Sequence, residues 1–523
     1  MVTSRHVLSG LVANEGAEVI RVDPLGQPDA LNVLRNLLGN RVDREHNAAN
    51  ALADYCAGLP LALRVAGEVV VSHPSTSLPE LVTELADRRT RLDVLDTDND
   101  PSTTARTVFS WSYEQLDTAA ARAFRSMGTH PGRGLDRHAL ATLLDVTPRN
   151  AGRLLDTLKR AHLVIEPSSG RFDMHDLLRA YAAELGEALD SKASRSAAVH
   201  RLFGYYLHAA DRADRIITPH RYRLTLDHEP PSLPEFKDYT SALSWLDAER
   251  HNMRAMFHLP DPTLESSLWQ LAYTLRGYYF LTKQWRDWRR THELALAGTQ
   301  RTGDRYAEAQ TRNNLGLALL EQGHWNEAAE HYERARELFE EVQDIHGVSN
   351  ALANRATVLH YRGDLEPALL ENERALAAYE RAGSTRNAAI TLRSMALIEI
   401  DLERFGEATA HLHRALTSFH ELGLHLDATM ALNCLGEAHH GAGCIPEARR
   451  AHEQAYALGA ECGSRFEQAR AQHGLGRLEK SQGRNAEALE CWEEALELYT
   501  ALAAPEADQL ATDIAALRTH SSP

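Results

Sequence analysis

Small residues recur at forty-residue intervals through the second half of this chain, and no other feature of the sequence constrains the fold as much. Gly316, Ala356, Ala396, Gly436 and Gly476 form one column. Ala328, Ala368, Ala408, Ala448 and Ala488 form a second, and Ala335, Ala375, Ala415, Ala455 and Ala495 a third. The spacing within a unit is twelve and then seven, so the first position falls on one helix and the other two on the next. Seven residues is about two helical turns, which puts Ala328 and Ala335 on one face where a neighbouring helix approaches closely. Gly323, Gly363, Gly443 and Gly483 mark the turn between the helices, since glycine suits the positive φ of a helix C-terminus. Glu403 stands there in the third unit, which predicts a turn closed in a different way. Two columns of large residues, Trp325, Leu365, Phe405 and Ile445, then Phe339, Tyr379, Phe419 and Tyr499, read as core filling; Asn485 and Gly459 interrupt them. Hairpins that each touch only their neighbours build a solenoid, an architecture suited to holding other molecules.

In residue type and spacing the unit resembles the tetratricopeptide repeat, although that repeat is commonly ~34 residues long and this one is longer. Longer helices and connections account for the difference. Trp285 and Ala295 precede Trp325 and Ala335 by one period, with Trp288 at a small-residue position, so a degenerate sixth unit is expected. The expectation is about six repeats over 273–517, forming a right-handed α-solenoid within a mostly α chain.

The net charge of −17 argues against unspecific nucleic-acid binding by the whole chain, while leaving room for a basic patch on one module. Five cysteines (Cys56, Cys434, Cys444, Cys462, Cys491) lack metal-ligand spacing and read as reduced thiols, and no metal site is expected. No run approaches the ~20 apolar residues of a membrane span, and the first residues do not form a leader peptide. The expectation is a cytoplasmic protein without a membrane partner.

The first half is read in order. Met1–Arg5 has the look of the end of a buried strand, followed by apolar Leu8, Leu11, Val19, Ile20 and Val22. Helices are predicted over 29–38 and 47–56, and Gly58-Leu59-Pro60-Leu61 ends one helix and starts another. Helices follow over 136–144 and 149–161, the latter capped by Thr147 with Pro148 in its first turn. Leu163–Glu166 and Arg171–Met174 read as a hairpin closed by Pro167-Ser168-Ser169-Gly170, and Met174-His175-Asp176 leads into another helix.

These pieces in this order resemble the nucleotide-binding regulatory ATPases called NB-ARC or STAND proteins, in particular the actinobacterial antibiotic-regulatory (SARP-like) type with C-terminal repeats. Thr3-Ser4-Arg5 resembles the family's first sensor motif. Gly58-Leu59-Pro60-Leu61 resembles its helical-domain motif, and Met174-His175-Asp176 the motif that ends its winged helix. Ser244-Trp245-Leu246-Asp247-Ala248-Glu249-Arg250-His251-Asn252 is similar to the linker before its repeats. The resemblance implies a nucleotide-binding-domain remnant over 1–25, a helical domain over 26–95, a winged helix over 96–190 and a helical linker over 191–272. It also implies that Arg5 reads the terminal phosphate, that Pro60 packs near adenine and that His175 contacts the β-phosphate of ADP. The family's phosphate loop, G-x-x-x-x-G-K-[ST], has no match: none of the five lysines follows a glycine. The sequence thus opens inside such a domain, either as part of a longer product or as a degenerate regulator. ATP hydrolysis is not expected of it, and ADP or ATP binding would be weak at most.

The leading expectation is a regulatory scaffold whose repeats bind a protein or peptide on their concave surface, with self-association left open. The alternative is direct DNA binding through the helix over 149–161, with Arg149, Arg153, Lys159 and Arg160 on or beside it and Arg171 on the wing. Neither G-x-S-x-G nor H-E-x-x-H occurs, and no catalytic residues are assigned.

Overall fold

The computed structural model describes residues 25–56, 58–72, 77–86, 105–219, 221, 223–259, 261–502, 504 and 506–520. Its chain divides into two compact units, Met1–Lys283 and Gln284–Pro523.

In the first unit, α1 (Gln27–Leu38), α2 (Arg41–Arg44), α3 (His46–Tyr55), α4 (Pro60–Ser72) and α5 (Leu78–Ala86) form one group, with α1 on α4 and α3 on α5. Then follow α6 (Ala105–Glu114), α7 (Thr118–Gly128), α8 (Arg137–Leu144) and α9 (Pro148–Arg160). Oxygen-bearing caps set their starts: Asp117, Asp136 and Thr147 each accept the amide three residues on. Strands β1 (Ile165–Ser168) and β2 (Arg171–Asp173) pair antiparallel, and Leu135 exchanges two 2.8 Å backbone bonds with Phe172 on the other edge. The hairpin is tighter than expected. Ser168 pairs with Arg171, so only Ser169 and Gly170 form the turn, and an irregular register between Ile165 and Ser168 takes up the difference. Next come α10 (Asp176–Leu189), α11 (Lys192–Ile217), α12 (Tyr239–Met256) and α13 (Glu265–Leu281). Phe109, Tyr113, Phe124 and Tyr181 cluster between α6, α7 and α10, with ring centroids 5.8–6.3 Å apart.

The second unit is a helical array. It begins with α14 (Trp285–Thr302) and continues with ten helices of 17 residues. First helices of each hairpin are α15 (Arg305–Glu321), α17 (Ile345–Tyr361), α19 (Thr385–Asp401), α21 (His425–Gly441) and α23 (Arg465–Ser481). Second helices are α16 (Trp325–Glu341), α18 (Leu365–Arg381), α20 (Phe405–Glu421), α22 (Ile445–Glu461) and α24 (Asn485–Ala501). A last helix, α25 (Glu506–His520), buries Leu510, Ile514 and Leu517 against Trp492 and Tyr499 and closes that end.

The turn recurs every twenty residues, twice as often as the sequence reading had it. Positions 303, 323, 343, 363, 383, 403, 423, 443, 463 and 483 all take φ between 58° and 80°, and eight of them are glycine. From Glu321 onward each closes a Schellman motif: the amide one residue later reaches back to the third-last helical carbonyl at 2.7–3.0 Å, as His324 does to Leu319 and Arg404 to Glu399. Glu403 therefore does not close its turn differently. It adopts the left-handed conformation like its glycine counterparts, with φ 58°.

All of the alanines in the three small columns are fully buried. The first column faces a column on the second helix: Tyr332, Asn372, Leu412, His452 and Trp492. Glycine stands opposite the rings and alanine opposite Asn372 and Leu412. A Cβ on Gly316, Gly436 or Gly476 would lie 2.2–2.7 Å from Tyr332, His452 or Trp492. Trp325 departs from the core reading. As the first residue of α16 it is 41 % exposed and stacks on Tyr361 at 6.2 Å. The expected degenerate hairpin, α13 and α14, straddles the division between the two units, and α13 packs on α11.

Candidate functional site

Of the residues that the resemblance marks for nucleotide, Arg5 lies outside the described residues. Gly58 shows why its motif needs glycine: φ is +64°, and a Cβ would sit 2.3 Å from the Leu25 carbonyl oxygen. The Leu25 amide donates to the Gly58 carbonyl at 2.9 Å, which holds the chain against this turn. Pro60 then opens α4 and is exposed. His175 is half-buried one residue before α10, and its carbonyl accepts the Arg179 amide at 2.9 Å. Because α4 packs on α1 and α3, and α10 on α6 and α7, Pro60 and His175 stand on separately packed helices.

The basic residues named for DNA behave unequally. Arg149, Arg153, Lys159 and Arg160 are exposed on α9, whose other face buries Ala151, Leu155 and Leu158. Lys159 is tied to Glu166 of β1 at 2.5 Å, which holds the Glu166 carboxyl below its ordinary range. Arg160 donates to Thr157 Oγ1 at 3.2 Å. Beside this face an open cleft of about 1090 Å³ runs between Gly152 and Asp156 of α9, Phe172 of β2 and the Pro230–Pro234 segment.

Arg171 does not belong to that surface. It turns inward and pairs with Glu249 of α12, whose side chain is 0 % exposed. Glu249 also accepts from Asn252 Nδ2 at 2.6 Å and from the Tyr206 hydroxyl of α11 at 3.3 Å. Tyr206 in turn meets His130 Nε2 at 3.0 Å. The Gly132 amide donates to His130 Nδ1 at 3.1 Å, so Nδ1 is the acceptor and Nε2 carries the hydrogen. The donors therefore run in one direction, from Gly132 through His130 and Tyr206 to Glu249. Burial, reinforced by Arg179, pushes the His130 pKa down to about 3, which keeps the ring neutral. Burial also raises the Glu249 carboxyl, against the pull of Arg171. Asn252 Nδ2 donates to the Gly134 carbonyl at 2.8 Å, and a Cβ on Gly132 would lie 2.0 Å from Asn252 Oδ1. Beside the cluster, Asp173 accepts the Gly134 amide at 3.1 Å and the Met174 amide at 2.8 Å, and pairs with the buried Arg179.

The sequence reading missed Glu249, Asn252, Tyr206 and His130 as a set. Glu249 and Asn252 do lie in the quoted linker motif, at the three-residue spacing that puts two side chains on one helix face. A charged and an amide residue among the apolar Ala242, Leu246, Met253 and Met256 of the buried face of α12 were the available signal. Among the described residues, no cluster of His, Cys, Asp or Glu has the makings of a metal site, and no helix is long and apolar enough to cross a membrane.

In the array, Leu317, Thr357, Leu397, Glu437 and Arg477 form a column of half-buried or exposed positions on the first helices. Between these helices Asn354 donates to Asn313 at 3.0 Å, Arg393 to Asp427 at 3.3 Å, and Asn433 to Glu467 at 2.8 Å.

A tetratricopeptide-repeat family model matches residues 277–341 and 426–501. The chain is 29 % identical over 419 residues to the regulatory protein AfsR of Streptomyces coelicolor, covering 78 % of this chain and 42 % of that protein. It is 27 % identical over 464 residues to AfsR of Streptomyces griseus, covering 88 % and 43 %. It thus spans less than half the length of these relatives. Among solved structures, a signal-transduction ATPase with numerous domains and a tetratricopeptide repeat sensor, from Pyrococcus horikoshii, is similar at TM-score 0.40 and 12 % identity, covering 96 % of this chain and 73 % of that one. A Rap protein complexed with competence and sporulation factor is similar at TM-score 0.42 and 13 % identity, covering 66 % and 91 %. The chain carries tetratricopeptide repeats and is similar over most of its length to AfsR regulatory proteins.

Proposed function

We propose that this chain is a cytoplasmic regulatory scaffold of the NB-ARC–tetratricopeptide class, whose array binds a protein or peptide partner on the surface of its first helices. The carrying observation is the forty-residue column from Leu317 to Arg477, which keeps the same position of every first helix accessible. Such a column suits a partner segment lying across several repeats. The segments 26–95, 96–190 and 191–272 are read as helical domain, winged helix and linker, acting as a docking unit. Nucleotide binding is at most vestigial, with Arg5, Pro60 and His175 as its contacts.

Selection of peptides from a displayed random library against the full chain tests the reading. Binders are expected, and Thr357→Arg combined with Leu397→Arg is expected to abolish their capture. Recovery of no binder, or of binders indifferent to both substitutions, would overturn it.

A second reading, DNA contact through α9, is favoured by Arg149 and Arg153, which are exposed and make no ion pair among the described residues. The withdrawal of Arg171 into its pair with Glu249 weighs against it. A low-salt mobility shift of duplex DNA that Arg149→Ala and Arg153→Ala abolish would support this reading, and no shift would end it.

A further inference from the structure

The charges of the array are segregated by helix. The five first helices carry nine Arg and Lys against eight Asp and Glu, a net of +1. The five second helices carry seven against twenty, a net of −13. Summed over the array, the second helices are therefore acidic, most of all α16 and α24, and the first helices are near neutral, although α21 carries two carboxylates and no Arg or Lys, in a chain whose total is −17.

The balance on the first helices is uneven, and the ion pairs locate its surplus. Arg393 is matched by Asp427. Arg470 is matched twice, by Glu467 and by Glu437, each at 3.2 Å. Glu479 is drawn the other way, with both oxygens taken by Arg449 and Arg484. What remains on α23 is Arg465 at its first residue, exposed and in no ion pair among the described residues, and, further along the helix, Arg477, likewise exposed and unpaired among them, and Lys480, exposed with its ammonium 5.2 Å from the centre of the Trp492 ring. His440 of α21 and His473 of α23 lie close enough to Arg477 that its charge, after burial, holds both imidazoles below their ordinary range. The carboxylates nearest His473 are Glu437, spent on Arg470, and Asp513 of α25, which accepts from Gln509 at 3.1 Å.

Resting on the reading that the first-helix surface receives a peptide, we infer that its last two repeats are the anchor for an acidic segment of the partner. Carboxylate side chains meet Arg477 and Lys480, with His440 and His473 as further donors. Charge complementarity carries the assignment. The second helices, with a net of −13, repel an acidic chain, whereas this end of the first-helix surface offers a guanidinium and an ammonium that no carboxylate pairs with among the described residues. Arg477 supplies the planar fork that carboxylates accept in pairs, and Lys480 a mobile point charge.

The test uses the full chain and a fluorescein-labelled oligoglutamate peptide, with oligoglutamine and oligolysine peptides as controls, read by anisotropy. The oligoglutamate peptide is expected to bind in preference to both controls and to weaken between roughly 20 mM and roughly 300 mM salt. Arg477→Gln with Lys480→Gln should cost about tenfold in affinity. Glu493→Gln with Glu497→Gln, on a second helix, should not weaken binding. Unchanged melting of each variant shows that folding is intact. No preference for the acidic peptide, or a preference indifferent to Arg477→Gln and Lys480→Gln, overturns the inference. If library-selected peptides are still lost with Thr357→Arg and Leu397→Arg while the acidic peptide fails, only this inference falls and the broader function stands.

Discussion

Arg171→Met removes the cation paired with Glu249 and leaves a fully buried carboxylate with the Tyr206 hydroxyl and the Asn252 amide as its donors among the described residues. Breaking a buried pair by removing one partner costs about 3–5 kcal/mol. Arg171 is 23 % exposed, so the lower end applies, about 3 kcal/mol. At 1.4 kcal/mol per decade this is on the order of a hundredfold in the opening equilibrium of the hairpin. The assay is hydrogen exchange of a peptide spanning 163–175 in the full chain, with peptides from the array as internal reference. Arg171→Met with Glu249→Gln should recover much of the protection, because glutamine keeps an acceptor for Tyr206 and Asn252 and carries no charge. The pH dependence has a definite sign. Glu249 already sits above its ordinary range, and loss of Arg171 moves it further up. A carboxyl raised in the folded state contributes stability that is present below its unfolded pKa of ~4.3 and lost as pH rises through the folded value. The gap between the Arg171→Met variant and the parent should therefore widen as pH rises. Exchange equal to the parent, or a double variant as open as the sum of the two single effects, would refute the reasoning.

Two other predictions concern the array. Gly363→Ala and Glu403→Gly occupy equivalent left-handed turns, and the space around a Cβ at Gly363 is empty to 4 Å, so only backbone conformation changes. The first should destabilise the array by about 1 kcal/mol and the second stabilise it by about half that, read as opposite shifts in urea midpoint; shifts of the same sign would contradict the turn assignment. Gly436→Ala should cost about 1–3 kcal/mol by driving a methyl to 2.4 Å from His452, which is also pressed from the other side by Gly474. His452→Leu added to Gly436→Ala should recover stability, since Ala396 and Leu412 already pair that way one repeat earlier, and failure to recover would break the packing rule.

The repeat was legible because its causes are local or nearly so. A glycine at a helix end, an alanine seven residues from another and a ring one helix away all recur in fixed register, and the array follows from stacking them. The turn at Glu403 was misjudged because residue identity was taken to decide backbone conformation. A three-residue connection between 17-residue helices demands the left-handed φ whatever side chain it carries. Trp325 was misjudged because column membership does not reveal which end of a helix lies at the edge.

By itself, the amino-acid order determined the forty-residue period, the helical hairpin, the close approach at its small columns and the segregation of acid onto the second helices. Tertiary structure alone decided that Arg171 faces Glu249 and not solvent, because the two lie 78 residues apart and no local spacing encodes their meeting. It also decided which charges remain unspent, since packing brings Glu437 of the neighbouring first helix to Arg470 at 3.2 Å and leaves Arg477 exposed without an ion pair among the described residues.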